Sequence, residues 1–159
     1  GGDGDGYSEG GNHFIHACRR NVNITYVVHN NGVFGLTTGQ YSSTSTMGTK
    51  SKSSPRGSIE VSFNPIAVAL ASGATFIARV YVGNPSHCVD IMKKAVQHNG
   101  FAFVDIIQPC ITFGKNHEYY KDKIYIVDEK YDWSDKSTAF LKALESDTGK
   151  IPCGIIYKK

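Results

Sequence analysis

The residues with the clearest capacity for chemistry stand at the start of the chain, in the run Gly2, Asp3, Gly4, Asp5 and Gly6. Glycines let a backbone approach an anion closely because no Cβ stands in the way. Asp3 offers the hard carboxylate oxygen that Mg²⁺ prefers, and the pair Asn30-Asn31 offers neutral oxygens further along the chain. A Mg²⁺ ion usually completes its octahedron with phosphate oxygens and water. The pattern predicts a magnesium and diphosphate site, although Gly-Asp-Gly is also an ordinary turn sequence.

The elements around these two motifs are predicted to bring them to one edge of a sheet. Residues 1–6 read as the end of a strand and the turn that leaves it, and a helix follows with Asn12 as its N-cap and Arg19-Arg20 at its end. Residues 23–28 are β-branched and apolar, which is typical of a buried parallel strand. That strand would deliver Asn30 and Asn31 to the carboxyl edge, where open α/β sheets bind ligands.

The rest of the chain alternates between strand and helix patterns. After a Ser- and Thr-rich loop at 38–60, we predict helices at 65–71, 86–98 and 137–144, strands at 75–82 and 101–107, and an extended end at 151–157. This order indicates an α/β fold with a mostly parallel sheet flanked by helices and joined by right-handed crossovers. We divide the chain into an α/β domain at 1–114, incomplete at its N-terminus, and an extension at 115–159 that packs on this domain or on a partner.

The amino-acid composition is typical of a globular protein. The chain has 159 residues, of which 40% are hydrophobic and 19% charged, and its net charge of +3 is too small to indicate nucleic acid binding. No apolar run is long enough to span a membrane and no signal peptide stands at the start, so we expect a cytoplasmic protein. The four cysteines are scattered without a CxxC motif, which favours reduced thiols over disulfides. The chain begins inside a motif without Met, so we expect a fragment whose first strands lie upstream.

Four runs of sequence in one order resemble a known family. They are GDGDGYSEGGNHFIHACRRN, NNGVFGLTTGQYSSTS, FNPIAVALASGATFIARVY and QPCITFGKN. Together they are similar to the β subunit of 2-oxoacid:ferredoxin oxidoreductases, which use thiamine diphosphate and iron–sulfur clusters. The resemblance implies the diphosphate-binding half of the thiamine enzyme fold. It also implies conversion of a 2-oxoacid and coenzyme A to acyl-CoA and CO₂, with electrons passed to ferredoxin and an α subunit as partner.

The resemblance also implies roles for individual residues. Asp3, Asn31 and the Val33 carbonyl would bind Mg²⁺, while the glycines from Gly2 to Gly6 would shape the diphosphate loop and Asp5 would bind there or cap the backbone. Gly35 and Leu36 would line the underside of the cofactor. Cys110, in the QPC motif, would be one ligand of a 4Fe–4S cluster, which needs four thiolates and therefore exists only in the complete protein.

The activating glutamate of these enzymes normally comes from a partner domain. No catalytic residue can therefore be assigned in this chain, and the chain alone is expected to be inactive. Four departures from the family bear on function: Thr38 replaces the usual Lys of GLTKGQ, Ser42-Ser43-Thr44 replaces Ser-Pro-Thr, Glu9 replaces an apolar residue, and no upstream cluster cysteines are present. The missing ammonium leaves the identity of the 2-oxoacid open, above all for 2-oxoglutarate.

Two alternative functions stay open from the sequence. A decarboxylase or an acetolactate-synthase-like enzyme would share Asp3 and Asn31 but would not need Cys110. A non-catalytic remnant domain would keep the fold and bind only phosphate or a partner.

Overall fold

A computed structural model describes residues 1–159 and places seven strands and five helices along the chain. The strands are β1 (Thr25–Asn30), β2 (Val33–Phe34), β3 (Gln40–Tyr41), β4 (Phe76–Tyr81), β5 (Ala102–Ile107), β6 (Ile124–Ile126) and β7 (Ile151–Lys158). The helices are α1 (Gly11–Arg20), α2 (Pro65–Ser72), α3 (Pro85–Val96), α4 (His117–Lys121) and α5 (Lys136–Leu144). A π-helical turn at Gly4–Glu9 precedes α1, and a 3₁₀ turn at Glu145–Thr148 follows α5.

The central sheet has five strands in the order β1-β5-β4-β7-β6. Strands β1, β5 and β4 run parallel, β7 runs antiparallel to β4, and β6 runs parallel to β7. Every residue of β5 is buried, as expected for a parallel strand covered on both faces. The predicted fold class, a mostly parallel sheet flanked by helices, is confirmed.

Helices cover both faces of the sheet because each face presents apolar side chains. One core lies against α1, α2 and α5 and contains Phe14, Leu70 and Phe103, while the other lies against α3 and contains Phe76 and Val104. Helices α2 and α3 begin in the same way: Asn64 and Asn84 accept a hydrogen bond from the helix backbone, and a proline follows each. None of the helices combines the length and the apolar character needed to cross a bilayer.

The structure differs from the sequence analysis at the start of α1 and adds features that were not predicted. Asn12 is not an N-cap: it lies inside α1, because the π-helical turn runs almost directly into that helix through Gly10. The hairpin of β2 and β3 and the short elements α4 and β6 were not predicted, since each is too short to show a periodic apolar pattern. The extended end was predicted, but not its position: β7 pairs with β4 inside the central sheet.

Candidate functional site

The two motifs singled out from the sequence lie side by side at the carboxyl end of β1. Gly2 forms a parallel bridge with His29, and the His29 amide donates to the Gly1 carbonyl at 2.9 Å. The Gly6 amide donates to the Gly2 carbonyl at 2.7 Å, which closes the turn that contains Asp3. Asn30 is the last residue of β1, so Asn31 follows at the same edge. The two motifs therefore meet at the carboxyl edge of the sheet, as predicted.

The Asp3 carboxylate is buried, with 1% of the residue exposed. Its Oδ1 accepts a hydrogen bond from the Asn31 amide at 3.2 Å, and its Oδ2 accepts from Thr44 Oγ1 at 2.7 Å and from Ser42 Oγ. The ion pairs of the chain do not include Asp3, so all its partners are neutral. Buried charges are normally paired or bound to a metal. A buried carboxylate without a cationic partner in the protein therefore fits a site for a divalent cation.

The Asn31 side chain folds back on its own turn. Its Oδ1 accepts a hydrogen bond from the Val33 amide at 3.0 Å, which holds this carboxamide oxygen in place. A carboxamide oxygen has two lone pairs, so one remains for a cation. The structure thus places Asp3 against the turn that contains Asn31 and Val33.

The glycines of the turn serve two different purposes. A Cβ at Gly4 would collide with the Phe34 ring, and a Cβ at Gly6 would collide with the Tyr26 hydroxyl. A larger residue at either position would require Phe34 or Tyr26 to shift, whereas a Cβ at Gly2 would meet nothing within 4 Å. Gly2 therefore lies on the open side of the turn. Asp5 is exposed, and its carbonyl accepts the Gly10 amide at 2.7 Å.

Gly35 and Leu36 lie at the tip of the hairpin formed by β2 and β3. Leu36 is 99% exposed, and nothing stands within 4 Å of a Cβ built at Gly35. The structure does not bring these two residues to Asp3 through any hydrogen bond, but Phe34, at the start of the same hairpin, packs on Gly4. The hairpin is thereby anchored on the glycine turn, while its tip is left free to contact a ligand.

Thr38, at the end of this tip, has an unusual backbone. Its φ of 74° lies in the left-handed region, where β-branched residues are rare because the side chain crowds the following carbonyl. We expect Thr38→Gly to raise the free energy of unfolding by about 0.5–1 kcal/mol, because relief of the left-handed conformation exceeds the entropy cost of glycine. Urea denaturation measures this change.

The control is Thr37→Gly in the same tip. Thr37 is not among the residues with positive φ, and its hydroxyl bonds the Gln40 side chain at 2.5 Å. This variant should lose stability. Equal losses in both variants would show that Thr38 is not strained.

Cys110 stands in a turn that follows β5 and touches the turn of Asn31. The Gly114 amide donates to the Cys110 carbonyl at 3.0 Å, and a Cβ at Gly114 would lie 2.9 Å from Cys110 Cβ and 3.1 Å from the Asn31 carbonyl. The chain contains no group of three or more His, Cys, Asp or Glu side chains arranged for a metal. Cys110 is therefore a single thiol in a turn that lies beside the turn of Asn31.

The other three cysteines pack within the fold, and Cys88 Sγ donates to the Tyr81 carbonyl at 3.1 Å. All four cysteines are free of disulfides, as predicted. Cys18 and Cys153 are fully buried, and this burial raises the pKa of both thiols to about 12. A thiol with so high a pKa is a poor nucleophile and a poor metal ligand at neutral pH.

A buried polar network that the sequence analysis missed lies behind the site. Arg79 in β4 and Asp105 in β5 are register partners, and Arg79 Nε lies 2.8 Å from Asp105 Oδ2 with both side chains at most 4% exposed. Asp105 Oδ1 also accepts from the Tyr7 hydroxyl at 3.0 Å and from Asn30 Nδ2 at 3.1 Å. Burial, followed by the charge of Asp105, raises the pKa of Tyr7 well above its usual value. The sequence carried a signal for this network: each of the two apolar strands contains one charged residue, Arg79 in β4 and Asp105 in β5, and the two charges are opposite.

A cleft of about 730 Å³ opens next to Asp3. Its walls come from the hairpin, from Ser8 and from the loop that ends at Phe63, and they include Phe34, Tyr41, Ser42, Ser43 and Glu60. Ser42 also bonds Asp3, so the cleft and the carboxylate share a wall. Ser43 Oγ is buried without a hydrogen-bond partner in the protein. The cleft has the size of a small-molecule site.

Two family models match the chain. The model described as "Thiamine pyrophosphate enzyme, C-terminal TPP binding domain" matches residues 1–106. The model for the C-terminal part of the pyruvate ferredoxin oxidoreductase β subunit matches residues 110–159.

Individual relatives agree with these matches. The chain is 45% identical to the β subunit of a 2-oxoacid:ferredoxin oxidoreductase from Saccharolobus solfataricus, across 99% of this chain and 56% of that protein. It is 47% identical to the 2-oxoglutarate oxidoreductase subunit KorB of Mycobacterium tuberculosis, across 70% of this chain and 30% of that protein. The chain thus spans about half the length, or less, of these curated relatives.

One solved structure is similar over the whole chain. It is the 2-oxoglutarate:ferredoxin oxidoreductase from Magnetococcus marinus with 2-oxoglutarate, coenzyme A and succinyl-CoA bound. The TM-score is 0.96 at 42% sequence identity, and the match covers 100% of this chain and 55% of that one.

Proposed function

The chain belongs to the thiamine pyrophosphate enzymes, among the β subunits of 2-oxoacid:ferredoxin oxidoreductases, and we propose that it binds thiamine diphosphate through Mg²⁺ for oxidative decarboxylation of a 2-oxoacid. The observation that carries the proposal is the buried Asp3 carboxylate, which has only neutral partners and lies against Asn31 at the carboxyl edge of the sheet. Coenzyme A would accept the acyl group, and ferredoxin would accept the electrons.

Each residue of the site has a role in holding the metal and the cofactor. Asp3 would give Mg²⁺ a charged ligand, and Asn31 Oδ1 and the Val33 carbonyl would give neutral oxygens. Gly2 leaves room for the diphosphate, and Gly4 and Gly6 keep the turn in shape by admitting Phe34 and Tyr26. When bound, thiamine diphosphate supplies the nucleophilic carbon and the electron sink that decarboxylation needs.

The hairpin tip and the cleft would receive the rest of the cofactor and the substrate. Gly35 and Leu36 have free space around them, which supports contact with the cofactor. Thr38 offers no ammonium for a second carboxylate, so a 2-oxoacid with a distal carboxylate would need another cationic group, from this chain or from the α subunit. We propose residues 1–114 as the cofactor-binding unit and residues 115–159 as the extension that adds β6 and β7 to its sheet.

Cys110 would provide one of four thiolates to a 4Fe–4S cluster in the complete protein. Its turn touches the Asn31 carbonyl side of the magnesium turn. Such a cluster would accept electrons one at a time and pass them to ferredoxin. Three further ligands must come from outside this chain, because its other cysteines are buried thiols or lie apart from Cys110.

The test uses the complete enzyme with its α subunit, supplied with coenzyme A, ferredoxin and either 2-oxoglutarate or pyruvate. We expect ferredoxin reduction that depends on both the 2-oxoacid and coenzyme A. Cys110→Ser should bind thiamine diphosphate as the parent does, but its cluster absorbance should change and ferredoxin reduction should fall at least about tenfold, since a 4Fe–4S cluster normally needs four thiolates.

Two outcomes would contradict this assignment. Decarboxylation that is unaffected by ferredoxin and by Cys110→Ser would indicate a thiamine diphosphate enzyme of another type, such as a decarboxylase. Absence of thiamine diphosphate binding in the assembled complex would indicate a non-catalytic domain.

A further inference from the structure

The two oxygens of Asp3 are not equivalent in this structure. Oδ2 receives two hydroxyl donors, from Ser42 and Thr44, whereas Oδ1 receives one backbone donor, from Asn31. A carboxylate oxygen has about two lone-pair sites. Oδ2 is therefore saturated, and the remaining lone pair of Asp3 is on Oδ1, the oxygen on the side of the Asn31 turn.

Thr44 is itself held by groups deeper in the protein. Its hydroxyl oxygen lies 2.9 Å from Asn30 Oδ1. The Asn30 carboxamide can take only one orientation, because its Nδ2 donates to the carboxylate of Asp105 at 3.1 Å and its Oδ1 must then face Thr44. Asp105 is fixed in turn by Arg79 and Tyr7. A chain of contacts thus runs from the middle of the sheet to Asp3.

The protons in this cluster are fewer than the acceptors. Thr44 has one hydroxyl proton for two acceptors, Asp3 Oδ2 and Asn30 Oδ1. The charged carboxylate is the stronger acceptor, so Thr44 donates its proton to Asp3 Oδ2. A lone pair of the buried Asn30 Oδ1 then faces the Thr44 oxygen with no proton between the two atoms. A surplus of buried oxygen lone pairs around one carboxylate makes the potential negative and attracts a cation.

We propose that Thr44, together with Ser42, is a positioning residue for the cation: the two hydroxyls hold Asp3 Oδ2 so that Oδ1 alone binds the metal. This inference rests on the proposed magnesium site. It gives a function to the segment Ser42-Ser43-Thr44, which belongs to a long loop without helix or strand and comes to Asp3 from far along the chain. Because Ser42 also lines the cleft, the same residues connect the metal site to the proposed ligand space.

The experiment measures cation affinity in the complete enzyme after removal of divalent metal with a chelator. Thiamine diphosphate is added, and Mn²⁺ is titrated as the probe and followed by electron paramagnetic resonance. We expect Thr44→Val, which keeps the shape and removes the hydroxyl, to raise the Kd for Mn²⁺ about tenfold, as is usual for groups that orient a metal ligand. Thr44→Ser, which restores the hydroxyl, should stay within about threefold of the parent.

Two controls separate this role from a structural one. Thr49→Val removes a hydroxyl from the same loop, where the Thr49 hydroxyl bonds only the Thr46 carbonyl, and should leave the Kd unchanged. Melting temperatures recorded without metal show that each variant is folded during the titration: Thr44→Val should melt somewhat below the parent because the buried Asp3 carboxylate loses a donor, whereas Thr44→Ser and Thr49→Val should melt close to it. If Thr44→Val lowers the melting temperature but binds Mn²⁺ as the parent does, Thr44 is structural and the inference is wrong.

A further variant distinguishes failure of this inference from failure of the proposed function. Asp3→Asn removes the carboxylate itself. If Asp3→Asn weakens Mn²⁺ binding and Thr44→Val does not, the magnesium site stands and only the positioning role fails. If neither variant changes the Kd, the cation does not bind at Asp3 and both proposals fail.

Discussion

Asp3→Asn is expected to lower the affinity of the complete enzyme for thiamine diphosphate in the presence of Mg²⁺ by about tenfold or more, which equals about 1.4 kcal/mol of binding free energy. The substitution preserves size but removes the only carboxylate proposed as a metal ligand. It also places an NH₂ group against donors, because both Asp3 oxygens accept hydrogen bonds in the structure. Isothermal titration of the cofactor with and without Mg²⁺ measures the effect, which should disappear without the metal.

The matched control for this variant is Glu9→Gln. Glu9 carries the same charge, lies on the π-helical turn that follows Asp3 and is exposed. Its loss should change the affinity less than about twofold, since an exposed charge is screened by solvent. Parent-like, Mg²⁺-dependent binding by Asp3→Asn would make Asp3 a turn residue and would remove the basis of the proposed function.

Arg79→Met should cause the largest loss of stability, about 3–5 kcal/mol in the free energy of unfolding. The guanidinium and the Asp105 carboxylate form a buried pair at 2.8 Å, and removal of one partner leaves an uncompensated charge in the core. Arg79 also donates to Ser146 Oγ at 2.7 Å, so the 3₁₀ turn after α5 loses an anchor. Urea denaturation gives the change, and the melting temperature should fall with it.

The double variant Arg79→Met/Asp105→Asn identifies the cause. An asparagine at position 105 is neutral and can still accept from Tyr7 and pair with Asn30, so most of the lost stability should return. If the double variant is as unstable as the single one, packing of the Arg79 stem rather than the unpaired charge explains the loss.

The sequence predicts those parts of the fold in which the local residue pattern matches the burial of the same residues in the structure. The apolar runs of β4 and β5 are buried strands, whereas β1, which was predicted to be buried, is a partly buried strand at the edge of the sheet. The Asn-Pro pairs mark the starts of α2 and α3. The proximity of Asp3 and Asn31 also follows, because parallel strands end at one edge of the sheet and the relevant residues stand at such ends.

The features that were missed depend on contacts between distant residues. The approach of Ser42 and Thr44 to Asp3 has no periodic signal, since it is made by a loop whose hydroxyls have no preferred local structure. Asn12 is a good capping residue, but it is not used because the preceding π-helical turn already supplies the helical entry. The place of β7 depends on which edge of the sheet is free, and a single strand pattern does not specify that.

The position of β7 matters for how the protein is made. This strand lies between β4 and β6 in the sheet, yet it follows both of them in the sequence. During translation, at about 5–20 residues per second, β4 keeps one row of backbone groups without a strand partner until β7 emerges. Such an edge favours pairing with other nascent chains. We therefore expect chaperones to bind the nascent chain in the interval between synthesis of β4 and synthesis of β7.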